Sequence, residues 1–399
     1  MISEKMKPMV NNNSVIRAMF EEGKKMAAIY GAENVYDFSL GNPNVPAPAE
    51  VKESILEILD EEDSCFVHGY MSNAGYEDVR ATIAGSLNER FGTAFTEKNI
   101  IMVVGAASGL NIVLKTILNP EDEVIVFAPY FVEYSNYVKN YDGKLVIISP
   151  NTETFQPNLE EFEQKINART RAVIINTPNN PTGVVYSDET LKKMAEILNK
   201  KEAEFGTQII LLSDEPYREL AYDGVEVPYV TKYYNDTIVG YSYSKSLSLP
   251  GERIGYVVIP DEVGGSEEMI TATTIANRIL GSVNAPSLMQ RVIKKCIEKG
   301  AQVNLEAYDK NRNLLYNGLK DLGFECIKPQ GAFYLFVKSP EADEKAFSNH
   351  AKKYNLLVVP GSSFACPGYV RISYCVSYDM IQRSLTAFAK LAADYNLKK

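Results

Sequence analysis

Short apolar runs alternate with amphipathic stretches through the middle of this chain. The runs are Ile100–Val104, Glu123–Pro129, Leu145–Ile148, Ala172–Thr177, Gln208–Ser213, Thr237–Tyr241 and Ile254–Ile259. They are too short for ordinary helices and apolar nearly throughout, which predicts strands buried on both faces. Helical spacing is predicted between them at Ala107–Leu118, Phe131–Asn140, Leu159–Ile166 and Asp188–Phe205. Strands separated by helices imply an α/β fold: a mainly parallel seven-stranded sheet covered by helices.

The flanks differ. Helices are predicted at Val15–Tyr30, ended by Gly31, at Ala49–Glu61, where Val51, Ile55, Leu56 and Leu59 share a face, and at Glu77–Phe91. Asp37–Pro48 carries prolines at 43, 46 and 48, so it reads as extended chain. Past Pro286, strands at Gly331–Val337, Leu356–Pro360 and Tyr369–Tyr374 mix with helices at Leu288–Glu298, Leu305–Leu322, Glu344–Tyr354 and Tyr378–Asn396. That irregular order predicts a smaller α+β domain.

Composition narrows the function classes. The 399 residues suffice for a large domain and a smaller one. A net charge of -10 with no basic patch argues against a nucleic-acid partner. The five cysteines are scattered singly, which indicates neither a disulfide framework nor a zinc site. With only His68 and His350, a histidine-based metal site or triad is not expected. The first residues lack the apolar core of a signal peptide, and no apolar run is long enough to span a bilayer. The expectation is a cytoplasmic protein without a metal or a membrane partner.

The chemistry-bearing residues fall at the ends of the predicted strands, where ligands bind in such sheets. Gly105-Ala106-Ala107-Ser108-Gly109 lies at a strand–helix turn, whose N–H groups suit a phosphate. Small residues at such a turn more often serve packing. Asn176–Gly183 holds Asn180 in a proline-fixed loop, where its amide can donate to an aryl oxygen. Asp214 ends the next strand; a carboxylate there is costly unless it meets a cation, such as a protonated pyridine nitrogen. It serves equally well as a structural hydrogen-bonding group when taken alone. Tyr217 follows, able to hydrogen-bond a phenolate oxygen. Then come Ser242, Ser244, Lys245 and Arg253. The serines and the arginine suit an anion, and an amine near a cation is easier to deprotonate for Schiff-base formation. Taken in order, these are the parts of a pyridoxal 5'-phosphate pocket built around Lys245.

Asn180-Pro-Thr-Gly, Asp214-x-x-Tyr217 and Ser242-x-Ser-Lys245 followed by Arg253, in that order, resemble the pyridoxal-phosphate aminotransferases of fold type I, the aspartate-aminotransferase-like class I/II group. The resemblance covers nearly the whole chain. It implies an N-terminal arm and part of a small domain over 1–45, a large cofactor domain over 46–290 and a small C-terminal domain over 291–399. It implies transfer of an α-amino group from an L-amino acid to a 2-oxo acid such as 2-oxoglutarate, by a ping-pong mechanism through an aldimine on Lys245. Asp214 would pair with the ring nitrogen, while Asn180 and Tyr217 hold the ring oxygen. Gly105, Ala106, Ala107, Ser242, Ser244 and Arg253 would bind the phosphate, with Phe131 or Tyr130 stacked on the ring. Arg371 would grip the substrate α-carboxylate, and Gly41 lies in the loop closing over it. Tyr70 would reach the phosphate of the neighbouring subunit, which makes a homodimer functional. Some relatives carry a lysine where this chain has Ala107, so a preference for dicarboxylates does not follow; the second acid-binding arginine of the family has no motif here, and Arg278 reads as a solvated charge. Two alternatives remain open from sequence: a carbon–sulfur β-lyase using the same lysine and aspartate, and a non-enzymatic regulator, which would need a DNA-binding segment in front.

Overall fold

A computed structural model describes residues 1–11 and 15–397. The strands are β1 (Tyr36–Asp37), β2 (Ile100–Val103), β3 (Glu123–Phe127), β4 (Lys144–Ile148), β5 (Thr170–Asn176), β6 (Ile210–Asp214), β7 (Thr237–Ser242), β8 (Gly255–Val258), β9 (Tyr334–Lys338), β10 (Leu356–Leu357), β11 (Val359–Pro360) and β12 (Tyr369–Ser373). Seven of them form the central sheet in the order β2-β8-β7-β6-β5-β3-β4. Only β8 runs antiparallel to its neighbours, so the sheet is mainly parallel, as the apolar runs predict.

Both faces of this sheet are covered. Along β2, Ile101 and Val103 pack with Leu110, Val113 and Leu114 of the helix Ala106–Ile117. Ile100 and Met102 pack instead with Ile83 and Leu87 of the helix Glu77–Phe91 and Val292 of Ser287–Glu298. Successive side chains on a strand point to opposite faces, so a run that is apolar throughout needs cover on both sides. The expected helices are present to within a turn, several at the predicted limits. An additional helix, Ser266–Ile279, lies where the pattern gives no element. Thr271, Thr273 and Thr274 are poor helix formers; burial of Thr273, Ala276 and Asn277 accompanies the helix there.

The C-terminal part holds a three-stranded antiparallel sheet, β11-β12-β9. The apolar cluster around it includes Tyr308, Phe333, Phe347 and Phe388, with Phe38 from the N-terminal segment and Tyr217 and Leu220 from the segment after β6. β1 pairs with β10, and Ser373 N donates to Phe38 O at 3.0 Å. The extended N-terminal segment is thereby fastened to the C-terminal part, next to β12. The helix Ser287–Glu298 spans residue 290, and its Met289, Val292, Ile293 and Cys296 pack with Val79, Ile83 and Leu87 on the flank of the large sheet. Among the described residues no helix is long and apolar enough to cross a membrane.

Candidate active site

The carboxyl ends of β5, β6 and β7 open on a cavity of about 300 Å³. It is closed from the other side by the N-terminal segment at Leu40–Gly41 and by Tyr334 and Arg371 of β9 and β12. Of the sequence-predicted residues, Gly41, Ala106, Ala107, Phe131, Asn180, Asp214, Tyr217, Ser242, Ser244, Lys245, Arg253 and Arg371 all line it. Gly105 sits just behind, capping the helix Ala106–Ile117 with a φ of 85°. A Cβ there would overlap the Arg253 guanidinium, so glycine serves both the turn and the close approach. Tyr130 does not line the cavity; its N–H donates to Phe364 O at 3.2 Å. Tyr70 lies away from it and is 93 % exposed.

Lys245 stands on a one-turn helix, Tyr243–Ser246, directly after β7. Its Nζ donates to Gly41 O at 2.8 Å. Burial holds its ammonium down to about 8, and the charges of Arg371 and Arg253 act in the same direction. The amine is therefore within reach of its neutral, nucleophilic form near neutral pH. Ser242 and Ser244 hydroxyls lie 2.6 Å apart, both buried, beside Arg253. Arg253 is anchored by donating to Pro250 O at 2.9 Å and Val104 O at 3.2 Å. Together with the first turn of the helix Ala106–Ile117, these groups form one anion cradle.

Asp214 ends β6 and is 6 % exposed. Its Oδ2 accepts the Tyr134 hydroxyl at 2.6 Å, whereas its Oδ1 has no partner. Burial pushes the carboxyl up to about 7, against the pull of the Tyr134 hydrogen bond. A buried carboxylate at the cavity wall with one oxygen unpartnered is matched to a cationic N–H. Asn176 Nδ2 donates to Asp214 O at 2.8 Å and Asn176 Oδ1 accepts from Asn180 N at 2.8 Å, which ties the β5 loop to the end of β6. Arg371, from β12, donates to Asn180 Oδ1 at 3.0 Å and to Ser39 O at 2.5 Å. Its Nε is buried without a partner, and Tyr334 and Phe364 rings lie 4.5 and 4.9 Å from its Cζ. A second buried cation thus has unspent donor capacity at the same cavity.

Several residues at the site escaped the sequence reading. Tyr134 is one: it stands just behind the cavity, its hydroxyl on Asp214 and its ring edge-on to Phe131 with centroids 5.6 Å apart. Tyr334 is another, 3.0 Å from the Tyr217 hydroxyl, and nothing local distinguishes it from the core residues beside it. A separate cavity of about 520 Å³ lies on the side of β7 that carries Tyr241. It contains none of the sequence-predicted residues.

Known proteins share both the sequence and this architecture. The family described as aminotransferase class I and II matches over residues 32–388. An aminotransferase from Eubacterium rectale superposes with a TM-score of 0.97 at 50% identity, over 99% of each chain. An aspartate aminotransferase from Thermotoga maritima is 29% identical over 93% of this chain and 95% of its own length. An aromatic-amino-acid aminotransferase from Thermococcus litoralis is 29% identical over 97% of each chain. With the match running from before the extended N-terminal segment into the last helix, this chain belongs to the class I and II aminotransferases.

Proposed function

We propose that the chain moves the α-amino group of an L-amino acid to a 2-oxo acid, with 2-oxoglutarate the expected acceptor, in two ping-pong half-reactions, using pyridoxal 5'-phosphate attached at Lys245. One observation carries this reading. Lys245 faces the same cavity as two buried groups with unmet hydrogen-bonding capacity of opposite sign, Asp214 Oδ1 and Arg371 Nε. These fit the ring nitrogen of the cofactor and the carboxylate of an amino acid.

When bound, the cofactor supplies an electron sink for the charge released as the substrate Cα–H bond breaks. The rest is done by this chain. Asp214 keeps the ring nitrogen protonated, and Tyr134 holds its carboxylate in place. Tyr217 O–H and the Asn180 amide N–H donate to the ring oxygen. Ser242, Ser244, Arg253 and the N–H groups of Ala106 and Ala107 bind the phosphate, with Gly105 making room, and Phe131 covers the ring. Arg371 holds the substrate carboxylate, which fixes the Cα–H bond relative to Lys245. Lys245 Nζ, buried at the same cavity, would take that proton and return it. The Gly41 loop, tied to the C-terminal part through β1 and Ser373, shuts out water.

The second copy enters through Tyr70. Its loop is joined to the end of the helix Ser266–Ile279: Asn73 Nδ2 donates to Val283 O at 3.2 Å and Asn284 Nδ2 to Ser72 O at 2.8 Å. Ile275, Ile279, Leu280 and Val283 are exposed beside it, a surface suited to a homodimer in which Tyr70 serves the neighbour's phosphate. For the domains, we take the region before residue 46 together with the C-terminal part as the mobile unit, with the hinge near Gly300 after the helix Ser287–Glu298. The five free cysteines suit a reducing cytoplasm.

Borohydride reduction followed by peptide mapping tests the attachment, which should be at Lys245. A panel of amino acids with and without 2-oxoglutarate tests the reaction. Amino transfer that requires the acceptor supports the proposal. Release of pyruvate and ammonia without one would assign a carbon–sulfur lyase instead.

A further inference from the structure

The Tyr217 hydroxyl has one polar partner among the described residues, the Tyr334 hydroxyl at 3.0 Å. Tyr334 belongs to β9 in the C-terminal part, whereas Tyr217 and Lys245 stand on the segments that follow β6 and β7. Its ring centroid lies 4.5 Å from Arg371 Cζ. Its hydroxyl fills the space that a Cβ on Gly41 would need, and Gly41 O is the acceptor of Lys245 Nζ. One side chain thus touches the ring-oxygen donor, the carboxylate-binding arginine and the loop that holds the lysine.

We propose that Tyr334 is a positioning residue: its hydroxyl sets how strongly Tyr217 donates to the cofactor ring oxygen, and its ring holds Arg371 in the plane that receives the substrate carboxylate. This rests on the function proposed above. The hydroxyl role follows from counting protons. Tyr217 has a single O–H. Once that proton is given to the ring oxygen, the 3.0 Å contact is a hydrogen bond only if Tyr334 donates to Tyr217. A hydroxyl that accepts while donating is a stronger donor. Burial keeps the Tyr334 phenol protonated, pushed up to about 12, so its proton is present throughout the working range. The ring role follows from the cage around Arg371. Nη1 and Nη2 are held by Asn180 and Ser39, and the aromatic faces of Tyr334 and Phe364 fix the guanidinium's tilt. Gly41 matters here because any side chain at that position would displace the Tyr334 hydroxyl.

The test uses the holoenzyme and reads the bound cofactor's absorbance against pH for wild type, Tyr334→Phe, Tyr217→Phe and the double variant. Weaker donation to the ring oxygen destabilises its anionic form, so the midpoint should rise. Tyr334→Phe should raise it by about 0.1–0.7 pH unit. Tyr217→Phe should raise it further, and adding Tyr334→Phe to that background should change nothing, because the effect runs through Tyr217. An unshifted Tyr334→Phe midpoint, or an equal shift in both backgrounds, overturns the hydroxyl role. For the ring, Tyr334→Leu should raise KM for the amino acid about two- to fivefold above that of Tyr334→Phe; equal values overturn it. The Phe variant preserves volume and decides the hydroxyl role even if the Leu variant does not fold. Borohydride fixation away from Lys245 would overturn the reading of the site and this proposal together. Fixation on Lys245 with an unshifted midpoint overturns the hydroxyl role alone.

Discussion

Asp214 places a pH-dependent strain on the cofactor-free protein, and Asp214→Asn should remove it. The carboxyl is buried, with Oδ1 unpartnered and Oδ2 held by a single hydroxyl. Its folded value is about 7 against an ordinary 3.8. A group whose folded value is raised contributes stability that is complete below the unfolded value and is lost as pH climbs through the folded one. Between pH 5 and pH 8 the wild-type chain should therefore lose about 2–3 kcal/mol from this residue, at about 1.4 kcal/mol per unit over the window. Asparagine is close in shape and does not titrate, so Asp214→Asn should lack this decline. Urea unfolding of the cofactor-free proteins at the two pH values reads the difference directly, and the Lys245 contribution cancels because both chains carry it. If the ring nitrogen is its partner, as proposed, added pyridoxal 5'-phosphate should then protect wild type at pH 8 more than the variant. Parallel pH dependence in the two proteins would refute the reasoning, because it would mean that Asp214 is solvated or already paired without the cofactor.

Other outcomes follow from the same geometry. Tyr134→Phe removes the hydrogen bond that lowers the Asp214 carboxyl, so the decline between pH 5 and 8 should deepen by about 1 kcal/mol in the same urea series and disappear when combined with Asp214→Asn. Arg371→Lys keeps the charge but loses the fork and the flat faces, and steady-state kinetics should show KM for amino acids raised about tenfold or more. An unchanged KM would remove Arg371 from carboxylate binding. Mixing inactive Lys245→Ala with an impaired Tyr70→Ala should restore activity on subunit exchange, since one site of each mixed dimer regains all its native parts. Demonstrated exchange with no regain would mean that Tyr70 serves its own subunit.

The sheet was legible because burial on both faces leaves a mark in every residue of a strand: Ile100–Val103 and Val257–Val258 have no polar position to suggest anything else. The strand-end motifs were legible for a related reason. Asp214 ends its apolar run, and Asn180 and Lys245 come within four residues of the ends of β5 and β7, so the chain cannot carry them far from those strands. Chain order and length thus determined one wall of the cavity.

The opposite wall is a tertiary product. Gly41, Tyr334 and Arg371 come from segments that reach the site through the β1–β10 pairing and the packing of the C-terminal part. The family resemblance names Gly41 and Arg371 but not what they meet; Tyr334 on β9 looks like ordinary core, so the Tyr217–Tyr334 hydrogen bond has no local signature. The helix Ser266–Ile279 was hidden for the complementary reason: its threonines disfavour a helix in isolation, and packing against the helix Ala106–Ile117 and the edge of β2 supplies the missing stability. The unpartnered oxygen of Asp214 is also beyond sequence, because a carboxylate's partners depend on every chain segment that meets it. Sequence determined which groups stand on the rigid sheet, where spacing along the chain sets position. Tertiary structure decided which groups face them, because those distances are set by how the C-terminal part docks and by no periodicity in the chain.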